Sequence, residues 1–297
     1  MDTMTKLKIG NEEYLFAKEY QENEGYRSSL NQLTRKTFSF DFEGWYQQGF
    51  WTDRYRPYSL IHMDQVVANV SVNPIDFIVE GKEYHTLQVG TVMTDPEYRN
   101  RGLSRILFDI IMEEYDGRFD LIYLYANDTV RQFYPKFGFV EAQEFIYSKQ
   151  YKKNDRYVFR KLDGTTEEVR KLLLRLTGNA KTVSKYSMIH NPYLVMFYLT
   201  APMAECIYYC EELDLAAVVE YEEKCMIVVD LLGTKDINPD EVIASLLDQS
   251  ERKVLLGFTP KDTTSFQCDL LQEPDTTFFV KGNNFINQGR LPVLSHT

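Results

Sequence analysis

Between Val89 and Tyr115 the chain changes its hydrophobic period, and that change limits the possible folds more than any other feature. Val89-Gly90-Thr91-Val92-Met93-Thr94 reads as a strand and Asp95-Pro96-Glu97-Tyr98 as a turn. Leu103, Ile106, Leu107, Ile110, Ile111 and Tyr115 then form one apolar helical stripe. A strand that runs through a short turn into an amphipathic helix aims the free N–H groups of the helix start at one point, which is an anion site. Gly102 lets an anion approach the backbone, Ser104 is small, and Arg99, Arg101 and Arg105 add local positive charge.

The flanking pattern predicts a mixed α/β (α+β) unit. Glu12 to Phe50 reads as one or two helices followed by an irregular aromatic stretch. YSLIHM, VVANVSVNPIDFIV and HTLQVGTVMT read as three successive antiparallel strands. Asp116-Gly117 ends the central helix and LIYLYA reads as a buried strand. Asn127-Asp128-Thr129 would cap a short helix carrying Val130, Phe133 and Tyr134, and Phe137-Gly138-Phe139 would start another strand.

A polar connection over 148–163 leads to Thr165 and Glu168, spaced as a capping box for the helix VRKLLLRL. Three more strands, a helix from about Pro239 to Leu247 and the strand KVLLGF follow. This order echoes the first half. With 297 residues, the reading is two domains, 1–150 and 151–297, the second either a degenerate repeat of the first or an unrelated α+β lid.

Charge and composition narrow the function. A formal net charge of −11 argues against a nucleic-acid surface and suits a cationic small-molecule or peptide partner. No apolar stretch has the length of a signal peptide or a membrane span, so no membrane partner and a cytoplasmic location are expected. Cys206, Cys210, Cys225 and Cys268 lie in or beside apolar runs and read as buried thiols. Without a completing histidine pattern, no metal is expected.

The stretch Arg99, Gly102, Ser104 resembles the cofactor motif of the GNAT acetyltransferase superfamily, with Ser104 where the family has Gly or Ala. Ala126-Asn127 and Phe133-Tyr134-Pro135-Lys136-Phe137-Gly138-Phe139 resemble a second signature of that family. The Arg-Gly-Leu-Ser-Arg run before a large second domain is similar to the branch typified by the enhanced intracellular survival acetyltransferases. The resemblance implies a GNAT fold with a mixed, mainly antiparallel sheet and acetyl-CoA as cosubstrate.

It also implies that Val92, Met93 and Thr94 offer backbone groups to the pantetheine and acetyl carbonyl, and that Arg99, Asn100, Arg101, Gly102, Leu103, Ser104 and Arg105 cradle the pyrophosphate. Arg101 and Arg105 read equally as solvated helix-surface charges, and Asn127 as a pantetheine ligand or a helix cap. Tyr134 matches the residue that protonates the departing thiolate in the family, and reads otherwise as a core aromatic.

The function so implied is N-acetyl transfer to a primary amine by direct attack in a ternary complex. The alternative is a coenzyme A-binding regulatory or interaction protein without turnover. Self-association into a homo-oligomer is compatible with either. No general base is visible: His62, His85, Glu83, the acids of 41–53 and the carboxylate of Thr297 are candidates. His190 and His296 read as structural or exposed. A chain cut near Lys152 is expected, if it folds, to keep cofactor binding and lose acceptor selectivity.

Overall fold

The computed structural model describes residues 3–296. Strands β1 (Met4–Ile9) and β2 (Glu12–Lys18) open the fold as a hairpin. Residues 12–18 are thus extended where helix is expected. The hairpin turns at Gly10, whose φ of +61° suits glycine, and β2 buries Tyr14, Phe16 and Ala17. Helices α1 (Glu24–Phe38) and α2 (Glu43–Gln47) follow, then β3 (Arg56–His62), β4 (Gln65–Val79), β5 (Lys82–Thr94), α3 (Leu103–Tyr115) and β6 (Leu121–Ala126). After 3₁₀ turns at Asp128–Val130 and Tyr134–Phe137 come β7 (Val140–Glu141) and β8 (Phe145–Lys152). The remainder is β9 (Arg160–Leu162), α4 (Glu167–Gly178), β10 (Ser187–Ile189), α5 (Pro192–Thr200), β11 (Ile207–Cys210), β12 (Leu215–Tyr221), β13 (Cys225–Gly233), α6 (Pro239–Leu246), β14 (Glu251–Leu256), β15 (Gln267–Leu270) and β16 (Thr277–Gly282).

These strands form two mixed, mainly antiparallel sheets. The first has the order β1-β2-β3-β4-β5-β6-β16-β7 with β10 on β4, and the second β15-β8-β14-β13-β12-β11-β9. In the first, β5 and β6 are parallel neighbours joined through α3; in the second, β13 and β14 are parallel neighbours joined through α6. Both sheets carry a one-residue irregularity just before the crossover, opposite Val70 on β4 and between Val218 and Val219 on β12. The second half is therefore a repeat of the first at the level of topology.

The last strand of each repeat crosses over. β8 lies antiparallel to β14 in the second sheet, and β16 lies antiparallel to β6 in the first. Residue 150 falls inside β8, so the two sheets do not divide where the chain divides. β7 is two residues long because the place beside β6 belongs to β16.

Helix α3 covers one face of the first sheet with Leu103, Leu107, Phe108, Ile111 and Tyr115. Burial of side chains of this size is worth roughly 1.5–3 kcal/mol each. The halves are joined by an aromatic core in which Phe197 of α5 packs on Phe42 and Trp45, each at 5.8 Å, and Trp45 Nε1 donates to the Tyr193 carbonyl at 2.8 Å. The expected capping box of α4 does not form. Thr166 is the N-cap without a side-chain bond, and the Thr165 hydroxyl donates instead to Asp163. The expectation of four buried thiols holds for Cys210 and Cys225, whereas Cys206 is half-buried and Cys268 is exposed on the edge strand β15. No helix among the described residues is long and apolar enough to cross a membrane.

Candidate active site

Strands β5 and β6 pair only over Thr86–Leu121, Leu87–Ile122 and Gln88–Tyr123. Beyond them the strands part, and a cleft of about 700 Å³ opens between Val89–Thr94 and Tyr125–Asn127. The bulge on β5 holds the strand apart. Thr91 takes φ +49°, Asn69 Nδ2 donates to its carbonyl at 2.9 Å, and the Tyr55 hydroxyl meets its Oγ1 at 2.9 Å. A bulge re-aims backbone groups away from the ladder, here towards the cleft that Val92, Met93 and Thr94 line.

At the mouth, Asp95 caps the turn at Pro96–Tyr98 by accepting from Glu97 N at 3.0 Å, and Lys36 pairs with Asp95 at 2.8 Å. Asn100 and Gly102 both take positive φ, +63° and +76°, which turns the chain into α3 with Gly102 as N-cap. No side chain caps that helix start. A Cβ built on Gly102 would meet nothing within 4 Å, so the space before the free N–H groups is open. Ser104 does not obstruct it, because its hydroxyl meets Thr94 Oγ1 at 2.6 Å.

Of the residues expected to hold cofactor, Val92, Met93, Thr94, Arg99, Asn100, Gly102, Leu103, Ser104, Arg105 and Asn127 all line this cleft. Arg101 does not. Its guanidinium pairs with Glu12 at 2.7 Å, donates to the Glu97 carbonyl and lies over the Tyr98 ring at 4.6 Å. Arg105 is exposed and only loosely paired, 3.9 Å from Asp109. Asn127 precedes a 3₁₀ turn but its side chain makes no cap bond, leaving the amide on the cleft.

Tyr134 packs in the core and also reaches the cleft. Its ring packs on Phe108 at 5.6 Å, Phe133 at 5.3 Å and Phe279 of the inserted strand β16 at 5.6 Å. It also lines the cleft, and its hydroxyl has no hydrogen bond to a described residue. Burial pushes that hydroxyl up to about 12.

None of the expected bases among the described residues lines the cleft. His62 Nδ1 is bonded to the Tyr98 hydroxyl at 2.9 Å. His85 sits with Asp76 at 2.9 Å on the β4–β5 hairpin, beside exposed Glu83. Asp41 pairs with Arg35 and Glu43 with Arg27. Thr297 lies outside the described residues. The structure adds groups that local sequence does not signal: Thr37 and Phe38 from the end of α1, and Tyr125 of β6. Behind Tyr125 lie His296, packed on its ring at 4.2 Å with the two planes tilted by 31°, and Glu144, whose Oε1 accepts from its hydroxyl at 3.3 Å.

Residues 22–142 match the family model for the acetyltransferase (GNAT) domain. No curated protein matches the chain in sequence. Among solved structures, a conserved protein from Enterococcus faecalis V583 is similar at 14% identity and a TM-score of 0.59, covering 90% of this chain and 72% of that one. A GCN5-related N-acetyltransferase from Kribbella flavida is similar at 16% identity and 0.55, covering 90% and 71%. Eis1 from Mycobacterium abscessus is similar at 13% identity and 0.54, covering 93% and 72%. These likenesses extend over both halves and concern the fold. With the parted strands and the uncapped α3 start inside the matched region, the chain carries a GNAT acetyltransferase domain at residues 22–142 and is an acyltransferase that uses acetyl-CoA.

Proposed function

We propose that the protein is an N-acetyltransferase that acetylates a primary amine by direct attack in a ternary complex. The observation that carries this reading is Tyr134, a buried residue whose hydroxyl has no hydrogen bond to a described residue, in the same cleft as the uncapped start of α3. Acetyl-CoA fits the residues present. The bulge at Thr91 frees backbone groups for its arm, and the open space before Gly102 suits its pyrophosphate. When bound, acetyl-CoA supplies an activated thioester carbonyl.

The chain's own groups then bind, orient and hold protons. The N–H groups of 102–105, with Arg99 and Arg105, hold the phosphates, the backbone of Val92–Thr94 orients the arm, and Asn127 offers its amide. Tyr134 stays neutral at any working pH because burial sets it near 12. Full proton loss to a thiolate of ordinary pKa about 8.5 is uphill by ~5 kcal/mol, so its part is hydrogen-bond donation to the leaving sulfur. Phe38, on the cleft and 39% exposed, offers an aromatic face that suits a cationic amine. The four thiols are free, which suits a reducing, cytoplasmic setting.

The test is release of free coenzyme A from acetyl-CoA in the presence of a panel of primary amines and amine-bearing peptides. Amine-stimulated release is expected. A protein that binds acetyl-CoA but turns over none of the panel would favour the coenzyme A-binding regulatory reading.

A further inference from the structure

We infer that Glu144 is the proton acceptor for the incoming ammonium, working through the hydroxyl of Tyr125. The inference rests on the acetyltransferase reading above and supplies the base it lacks. Tyr125 lies on the face of β6 opposite α3, next to Tyr123 and away from Leu124 and Ala126, which pack against that helix. Its ring lines the cleft while its hydroxyl donates to Glu144 Oε1 at 3.3 Å. Glu144 itself, between β7 and β8, is only 7% exposed. Among the described residues, Tyr125 is the side chain that both lines the cleft and bonds the Glu144 carboxylate.

The surroundings tune this carboxylate. Burial raises it most, Glu273 from the β15–β16 connection adds to the rise, and Arg290 from the C-terminal segment and the Tyr125 bond oppose it; the balance lies at about 7. Tyr123 of β6 also faces it and is itself held neutral by burial. An acceptor poised near neutrality is partly ionised at pH 7 and is a stronger base than an ordinary surface carboxylate. His296, the other titratable group on Tyr125, is lowered to about 3 by burial and by Arg290 and cannot serve. Its ring shields the Tyr125 face instead.

The step balances. An N–H bond of the ammonium breaks as its proton passes to Tyr125 Oη, the tyrosine's own proton passes to Glu144 Oε1, and a neutral amine and a neutral carboxylic acid result. Tyr125 is never ionised, so its own high pKa is no obstacle. Glu144 returns the proton to water before the next cycle. Because it acts through Tyr125, Glu144 is a positioning residue for the proton, and the pH profile is the readout that distinguishes this from support of the fold.

The experiment measures kcat/KM from pH 5.5 to 9.5 for wild type, Glu144→Gln and Tyr125→Phe, using an amine from the panel with an ordinary pKa near 10. Expected for wild type is an acid limb centred near the carboxyl value of about 7. In both variants that limb is lost and kcat/KM falls by about 10²-fold at pH 7, with the deficit shrinking towards pH 9.5 where free amine is supplied by solvent. Coenzyme A affinity stays within about twofold, since residues 99–105 are untouched.

A second readout does not use turnover. The folded value of Glu144 lies above its ordinary 4.5, so its contribution to stability is present below that pH and is lost as pH rises through about 7. Glu144→Gln flattens the fall in unfolding midpoint over that interval. A Glu144→Gln enzyme with the wild-type pH profile overturns the inference, as does a chain ending at His296 that loses the acid limb while Glu144→Gln keeps it. Absence of turnover in wild type with every amine refutes the acetyltransferase reading and the relay with it.

Discussion

The molecule contains the same strand–helix–strand crossover twice, with a cleft of about 700 Å³ at the start of α3 and one of about 410 Å³ at the start of α6, and the two present different chemistry to a ligand. In the first, β5 and β6 part after Gln88 and Tyr123, α3 begins at Gly102 with no side-chain cap, and an open space faces its N–H groups. In the second, Gly257 N continues the pairing by donating to the Val228 carbonyl at 2.8 Å, and a Cβ on Gly257 would lie 2.9 Å from Val229. The C-terminal segment then enters the wedge. Val293 N donates to the Gly257 carbonyl at 2.9 Å, and Leu291 and Leu294 are buried. Helix α6 caps itself, with Asn238 accepting from Asp240 N, and places Asp240 and Glu241 in its first turn. Those carboxylates satisfy the helix dipole and repel a phosphate. A shared topology therefore does not imply a shared site; what differs is whether the free backbone groups are already spent.

The largest effect tests how far the two crossovers are separable. A chain ending near Lys152 lacks β16, whose six residues pair with β6 from Thr277–Ala126 to Gly282–Leu121 and whose Phe279 packs on Tyr134. That truncation is expected to lose the cooperative fold altogether, contrary to the simple two-domain division, because it exposes a central strand edge and opens the core under the cleft. Circular dichroism with thermal melting decides it. A stable fragment that binds coenzyme A would show the exchanged strand to be dispensable.

Next in size is Gly102→Asp. A Cβ there meets no protein atom, so the cost to folding is the strain of a positive φ, on the order of 1 kcal/mol. A carboxylate facing the pyrophosphate is expected to weaken acetyl-CoA binding by about 10²-fold or more. Calorimetry should show one cofactor per wild-type chain and the weakened binding on the folded variant. Two cofactors per wild-type chain, one of them unaffected by the substitution, would mean that the second crossover binds after all.

Tyr134→Phe separates chemistry from binding. The variant keeps the packing on Phe108 and Phe279 and is expected to lose roughly tenfold to a thousandfold in kcat, with little change in cofactor affinity. Because the hydroxyl lies near 12, wild type should show no alkaline loss of activity from this group below about pH 11. Wild-type turnover in the variant would reduce Tyr134 to a core aromatic.

The legibility of these features follows the range of the interactions that set them. The period switch at Pro96, the stripe of α3 and the three-strand meander are local patterns, and they stand where the sequence places them. The uncapped turn into α3 is local as well, because helix-start geometry depends on a few consecutive residues. The β1–β2 hairpin was not, since Glu-Glu-Tyr-Leu-Phe-Ala-Lys carries no clean alternation and becomes a strand through pairing with β3. Nothing near residue 280 signals that Thr-Phe-Phe-Val-Lys-Gly belongs beside Leu121–Ala126. Glu144 is equally silent: in sequence it is one acid in a polar run, and only β16, Arg290 and Tyr125 together bury it.

The smallest effect sharpens the reading of the cradle itself. Three arginines surround Gly102; by sequence Arg99 belongs to the cofactor motif, while Arg101 and Arg105 read equally as phosphate ligands or surface charges. The fold distinguishes them. Arg101 is turned to Glu12 and Tyr98, an exposed pair of the kind worth about 0–1 kcal/mol, and it braces the β1–β2 hairpin against the turn. Arg99 and Arg105 remain on the cleft. Arg101→Ala is therefore expected to change acetyl-CoA affinity by less than about threefold, with a comparably small loss of thermal stability. Arg99→Ala and Arg105→Ala should each weaken binding by about tenfold, and more steeply at low salt, because the attraction between a solvent-exposed cation and a phosphate is screened by added ions. Calorimetry across a salt series separates the three. If Arg101→Ala lost as much affinity as its neighbours, with the same salt dependence, its side chain would have to leave Glu12 when the cofactor arrives, and the hairpin would become part of the binding event.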